Sequence, residues 1–134
     1  MASNAAAYLA TLVVLVVCDF VWLSVVGAGV YRPRLGDLLL ARPNLPAAAA
    51  FYLVYAAGIV VFAAGPALRA GSWQRGLMLG ALFGFFAYAT YDLTNLATLR
   101  GWSAVVTLID IAWGAVLSGA AAAAGTIIAQ RSVS

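Results

Sequence analysis

The sequence predicts an all-α integral membrane protein, a four-helix up-down bundle with a short interfacial helix between spans one and two. Three observations carry this expectation. Of the residues, 66 % are hydrophobic and only 8 % are charged, whereas a small soluble domain exposes so much surface that it needs far more polar cover. The mean hydropathy is +1.04, and the apolar residues gather into four runs of about 20, the length that crosses a hydrocarbon core. The connections after the second run are very short, so neighbouring helices should be antiparallel. Little chain remains for anything else, and residues 1–134 read as a single membrane domain.

The first span is expected over 5–26, closed by Gly27, Gly29 and the Tyr31-Arg32-Pro33 segment. Next comes RLGDLLLAR, residues 34–42, with Leu35, Leu38 and Leu39 at helical spacing between arginines. That pattern suits a short helix lying in the membrane interface. Pro43 and Pro46 punctuate the chain, and Pro46 near the first helical position opens the second span, 47–68. A polar turn with Arg69, Trp73 and Arg75 leads to the third span, 76–99, which ends at Arg100-Gly101-Trp102. The fourth span covers 103–128. Arg and Trp at these corners match the usual furniture of a membrane boundary.

Charge and absences narrow the chemistry. Seven arginines are scattered singly along the chain, which is not the clustered basic surface that nucleic acid requires. There is no His and no Lys, so His-based metal sites, His general bases and Schiff-base cofactors are excluded. The single Cys18 cannot close an internal disulfide. No metal site and no cofactor are expected.

Asp19, Asp92 and Asp110 each lie inside an apolar run. An ionised side chain at such depth costs on the order of 3 kcal/mol even on lenient scales, so it faces the protein interior and suggests a functional site. Counted from the span ends on one side of an up-down bundle, each carboxyl lies roughly 10 Å inside. Three helices thus bring carboxyls to one layer. Tyr88, Asp92 and Asn95 share a face of the third helix at i, i+4, i+7 spacing, with Thr94 beside them. An Asp-x-x-Trp pattern occurs twice, at Asp19/Trp22 and Asp110/Trp113. Gly76, Gly80 and Gly84 form a small-residue stripe suited to close helix packing, and Gly114 and Ser118 form another on the fourth helix.

Three carboxylates cannot all stay ionised in one low-dielectric layer, which leaves a proton to share or exchange. Neutralisation by Arg100, the nearest Arg by position, or a bound cation would serve instead. The residues favour a binding or transport protein acting on a small polar or cationic ligand or on protons. A non-catalytic accessory or assembly subunit is one alternative, since Asp, Asn, Thr and Tyr also hold helices together by hydrogen bonds. A lipid-modifying enzyme using paired carboxyls as acid and base is another, although no nucleophile accompanies them and an enzyme is the weaker expectation. Expected partners are the lipid bilayer and further copies of the chain or a larger membrane complex, because four helices are few for a complete pathway.

The stretch FAYATYDLTNLATLRGW at 86–102, with Asp19-Phe20-Val21-Trp22-Leu23 and Asp110-Ile111-Ala112-Trp113-Gly114, resembles a bacterial family of small predicted membrane proteins called domain of unknown function 2177. The resemblance spans nearly the whole chain. It implies four spans and a bacterial inner membrane, and it brings no catalytic assignment. It also implies a cytoplasmic N-terminus, hence both termini on that side and the Asp layer toward the outer leaflet, although this chain begins Met1-Ala2-Ser3-Asn4 without the basic start of the family.

Overall fold

A computed structural model describes residues 2–132. Four long helical rods dominate them: 3–38, 45–70, 73–98 and 104–132, each long and apolar enough to cross a membrane. The first rod opens as α1 (Ala2–Trp22), widens into a π-helix over Leu23–Tyr31, then finishes as α2 (Arg32–Leu35) and a 3-10 turn, Gly36–Leu38. The helix that carries the first span therefore continues past Gly27 and Gly29. In hydrocarbon there is no water to satisfy a broken backbone, so the chain keeps its helical hydrogen bonds even through glycine. The short helix expected over 34–42 is present as α2 and the 3-10 turn, over 32–38 and continuous with this rod. Gly36, at φ 43°, breaks it in a conformation that favours residues without a Cβ.

Asn44 starts the second rod by accepting from the Ala47 N–H at 3.1 Å, a side-chain cap with Pro46 in the first turn. The rod comprises α3 (Leu45–Ile59), a π segment (Val60–Ala64) and α4 (Gly65–Ala70). Pro66, which lacks an N–H, sits just past the π segment, a common cause of an interrupted ladder. Gly71 closes the rod in the left-handed conformation, φ 66°, where the N–H groups of Gly71 and Ser72 reach back to the Leu68 and Ala67 carbonyls. Ser72 then caps α5 (Trp73–Thr98), and Ser103 accepts from the Val106 N–H at the start of α6 (Ala104–Ser132).

The surface is the reverse of a soluble protein's. Large apolar side chains point outward, with Phe20 at 71 % and Val54 and Leu108 at 72 % exposure. The interior holds small and polar residues: Thr11, Asp92, Thr107, Ser118 and Thr126 are almost fully enclosed, among many alanines. Lipid supplies no hydrophobic drive between helices, so small residues and hydrogen bonds take over that role.

Helix α6 is the centre, packed on one side by α5 and on the other by α1. Its contact with α5 is antiparallel and repeats every four residues. Gly76 lies against Thr126, Gly80 against Ala122, Gly84 against Ser118, and the Tyr88 ring covers Gly114. A Cβ at Gly80 would come within 2.6 Å of the Ser118 carbonyl oxygen, so only glycine permits this approach. On the other side Gly125 meets Ala7 and Thr11, and the Thr11 hydroxyl donates to the Ala121 carbonyl at 3.4 Å. The aromatic side of the second rod closes the core, with Tyr55, Ala56, Ile59 and Ala63 buried against Leu15, Leu117 and Ala121.

Candidate functional site

Continuing each register by four residues brings the polar side chains together. On the α5 side the next step after Tyr88 and Gly114 is Asp92 and Asp110. Asp92 is wholly buried, and among the described residues neither of its oxygens meets a hydrogen-bond donor. What it faces is the Asp110 carboxyl, which becomes a partner only when a proton is held between them. Asp110 itself is half-buried, and its Oδ1 accepts from the Tyr31 hydroxyl at 2.8 Å.

On the α1 side, the register that sets Thr11 beside Ala121 places Asp19 opposite Trp113 and Trp22 opposite Asp110. The Trp113 indole N–H donates to Asp19 Oδ1 at 3.0 Å, and the Tyr52 hydroxyl donates to Asp19 Oδ2 at 2.5 Å. The Trp22 indole N–H donates to the Tyr31 hydroxyl at 3.0 Å, which passes its own proton donor on to Asp110. Between these chains the two indoles stack, with centroids 4.2 Å apart and planes 3° from parallel. The repeated Asp-x-x-Trp pattern is thus a swapped pair: each Trp serves the Asp of the other helix, one directly and one through Tyr31.

Tyr31 reaches this position because of the π-helix. It follows Trp22 by nine residues, and at about 100° per residue an α-helix would put it half a turn away from Trp22. The wider π-helix turns less per residue, so Tyr31 returns to the same face. π segments of this kind are frequent at functional sites.

The expected single layer of three carboxyls therefore resolves into a pair and a third. Asp19 lies level with Trp113, three residues or roughly 4.5 Å along α6 from Asp110, and both its oxygens are occupied. Among the described residues no three acidic or Cys side chains converge closely enough to hold a metal ion.

Beside the pair, a cleft of about 400 Å³ is lined by Phe51, Tyr55, Ala87, Tyr88, Tyr91 and Asp110. Its size falls in the range of small-molecule sites. The Tyr88 hydroxyl lies in the electrostatic field of both Asp19 and Asp110, while Tyr55 is held by a 2.6 Å hydrogen bond with Ser118. Asn95, half-buried one turn past Asp92, lies by Tyr91. Thr94 is exposed and its hydroxyl donates back to the Thr90 carbonyl. Arg100 is exposed, two residues past the end of α5. Tyr31, Tyr52, Tyr55, Tyr91 and Phe51 complete the site although the sequence did not mark them as site residues; the doubled Asp-x-x-Trp was the signal that pointed toward it.

Fold and site together define a multi-span membrane protein with an apolar exterior and a polar core that carries carboxyls. The family model described as Predicted membrane protein (DUF2177) matches residues 4–127, and the chain belongs to that family. No curated protein and no solved structure matches it.

Proposed function

We propose that the protein is a membrane binding or transport protein whose Asp92/Asp110 pair holds an exchangeable proton that a ligand can replace. One observation carries the reading: Asp92 is fully enclosed, unbonded, and faces a second carboxyl. A side chain kept only to tie helices together would be satisfied by its neighbours. Asp19 fits that description through Tyr52 and Trp113, and Asp92 does not. An unsatisfied buried group of this kind is destabilising, which favours retention for function.

A bacterial inner membrane is the expected location, with both termini cytoplasmic, and a homo-oligomer would supply the helices that one chain lacks for a complete path. The runner-up is an accessory subunit of a larger complex, favoured by the satisfied Asp19. Infrared difference spectra of the purified protein between acid and alkaline buffer discriminate the two. The expected result is a protonated-carboxyl C=O band that responds to pH and disappears in Asp92→Asn. A band absent from the wild type, or unchanged in Asp19→Asn, Asp92→Asn and Asp110→Asn alike, would sink the proton-exchange reading and put the accessory subunit first.

A further inference from the structure

We propose that the cleft beside Asp110 binds a lipophilic organic cation, an ammonium bearing apolar or aromatic substituents, entering from the hydrocarbon phase. This rests on the reading of the Asp92/Asp110 pair as a proton-holding binding site and names the ligand that displaces the proton.

Four features of the cleft define the class. Its walls are the rings of Phe51, Tyr55, Tyr88 and Tyr91, and its one ionisable carboxyl is Asp110. Aromatic faces attract cations, most strongly where water is excluded. Among the described residues no Arg lines the cleft, so an anion finds neither counter-charge nor fork-shaped donor there. Two of the lining rings, Phe51 and Tyr91, are 41 % and 55 % exposed, so the cleft opens onto the apolar exterior of the bundle. A strongly hydrated ion would have to shed its shell to enter by that route, whereas an ammonium with an apolar body partitions there readily.

The arrangement of Asp110 supplies the exchange. Tyr31 occupies Oδ1, which leaves Oδ2 as the oxygen able to serve either a proton shared with Asp92 or the cation. The groups facing Asp110 are Asp92, Tyr31 and, through the cleft, Tyr88 and Tyr91. None is basic, so a permanent cation can take the proton's place with net charge conserved: one positive charge enters as one proton leaves.

The test uses the full chain in detergent micelles and two probes, benzyltrimethylammonium and the neutral tert-butylbenzyl alcohol. Calorimetric titration in weak buffer gives affinity, and a pH indicator gives proton release. The expected result is an affinity for the cation about tenfold or more above that for the alcohol, release of up to one proton per cation bound, and loss of that preference in Asp110→Asn. Equal affinity for the two probes, or no binding of the cation by the wild type, overturns the ligand class. If the pH-dependent carboxyl band of Asp92 persists in that event, only this inference fails. If the band is missing as well, the proton-exchange reading beneath it fails too. Because the first comparison is made on the wild type, a poorly folded variant does not obscure the outcome.

Discussion

Replacing Asp92 by Asn separates a carboxyl kept for function from one kept for structure. The side chains are nearly isosteric, so packing against α6 is retained. In the wild type Asp92 meets no donor and faces a second carboxyl. Asn brings an NH₂ that donates to Asp110 permanently, in place of a proton that comes and goes. An unsatisfied buried polar group costs about 1–3 kcal/mol, and more when charged. Asp92→Asn should therefore leave stability unchanged or raise it by up to about 3 kcal/mol, while abolishing proton exchange. The assay is thermal or denaturant unfolding of the purified protein in micelles, followed by tryptophan fluorescence, run beside Asp19→Asn. Asp19 accepts from both Tyr52 and Trp113, so its amide variant should lose about 1–2 kcal/mol, because an NH₂ cannot accept the second bond. A loss of more than about 2 kcal/mol in Asp92→Asn would refute the reasoning, since only a bonded, structural carboxyl would be missed that badly.

Further outcomes follow from the helix contacts. Gly80→Leu should lower stability by about 1–3 kcal/mol or more, because its side chain has to enter the space of Ser118 and Ala122; unfolding in micelles against wild type reads this. The Trp22/Trp113 stack predicts a coupling of about 0.5–1.5 kcal/mol in a double-mutant cycle to Leu, measured as unfolding free energy. A coupling near zero would mean the rings are merely adjacent. Tyr31→Phe removes the donor to Asp110 and the acceptor for Trp22, and should cost about 1 kcal/mol. It should also shift the pH at which the carboxyl band responds, a change that simple loosening of the helix would not produce.

The architecture was legible because bilayer chemistry writes it in composition. Four apolar runs and tight connections suffice for four rods, and a membrane leaves the backbone few alternatives to helix. The three carboxyls inside the apolar runs were legible one by one for the same reason: an Asp stands out among Leu, Val and Ala. Their mutual arrangement was not, because depth follows from counting residues while facing direction depends on helix rotation. Depth counting puts Asp19, Asp92 and Asp110 in one layer; what it does not give is the partners, and Asp19 is bonded to Tyr52 and Trp113. The π-helix was the second thing beyond reach. Nothing in LSVVGAGVY distinguishes a wide helix from an ordinary one, and its glycines read naturally as a stop. Tyr31 was consequently placed outside the membrane rather than beside Asp110. The two Asp-x-x-Trp copies marked the site but not its wiring, because a pattern in sequence carries no information about which helix each Trp will serve.

The same small residues that bind α5 to α6 also account for the position of the cleft. Along α5 the four-residue ridge runs Gly76, Gly80, Gly84, Tyr88, Asp92, so side-chain bulk against α6 is absent for three steps and then arrives at once. The backbones are drawn together over the glycines and must accommodate a ring at the next step. Gly114, opposite Tyr88, absorbs that ring by having no side chain of its own. One step further, Asp92 faces Asp110 across the same helix pair, fully enclosed, while Asp110 borders the cleft. Close packing at one end of the helix pair thus enforces the carboxyl contact at the other, while the rings of Tyr88, Tyr55 and Phe51 fill the flank only in part and leave the cleft. The site is in this sense the far end of the packing stripe, and disturbing the glycines should alter it without any change to its own residues.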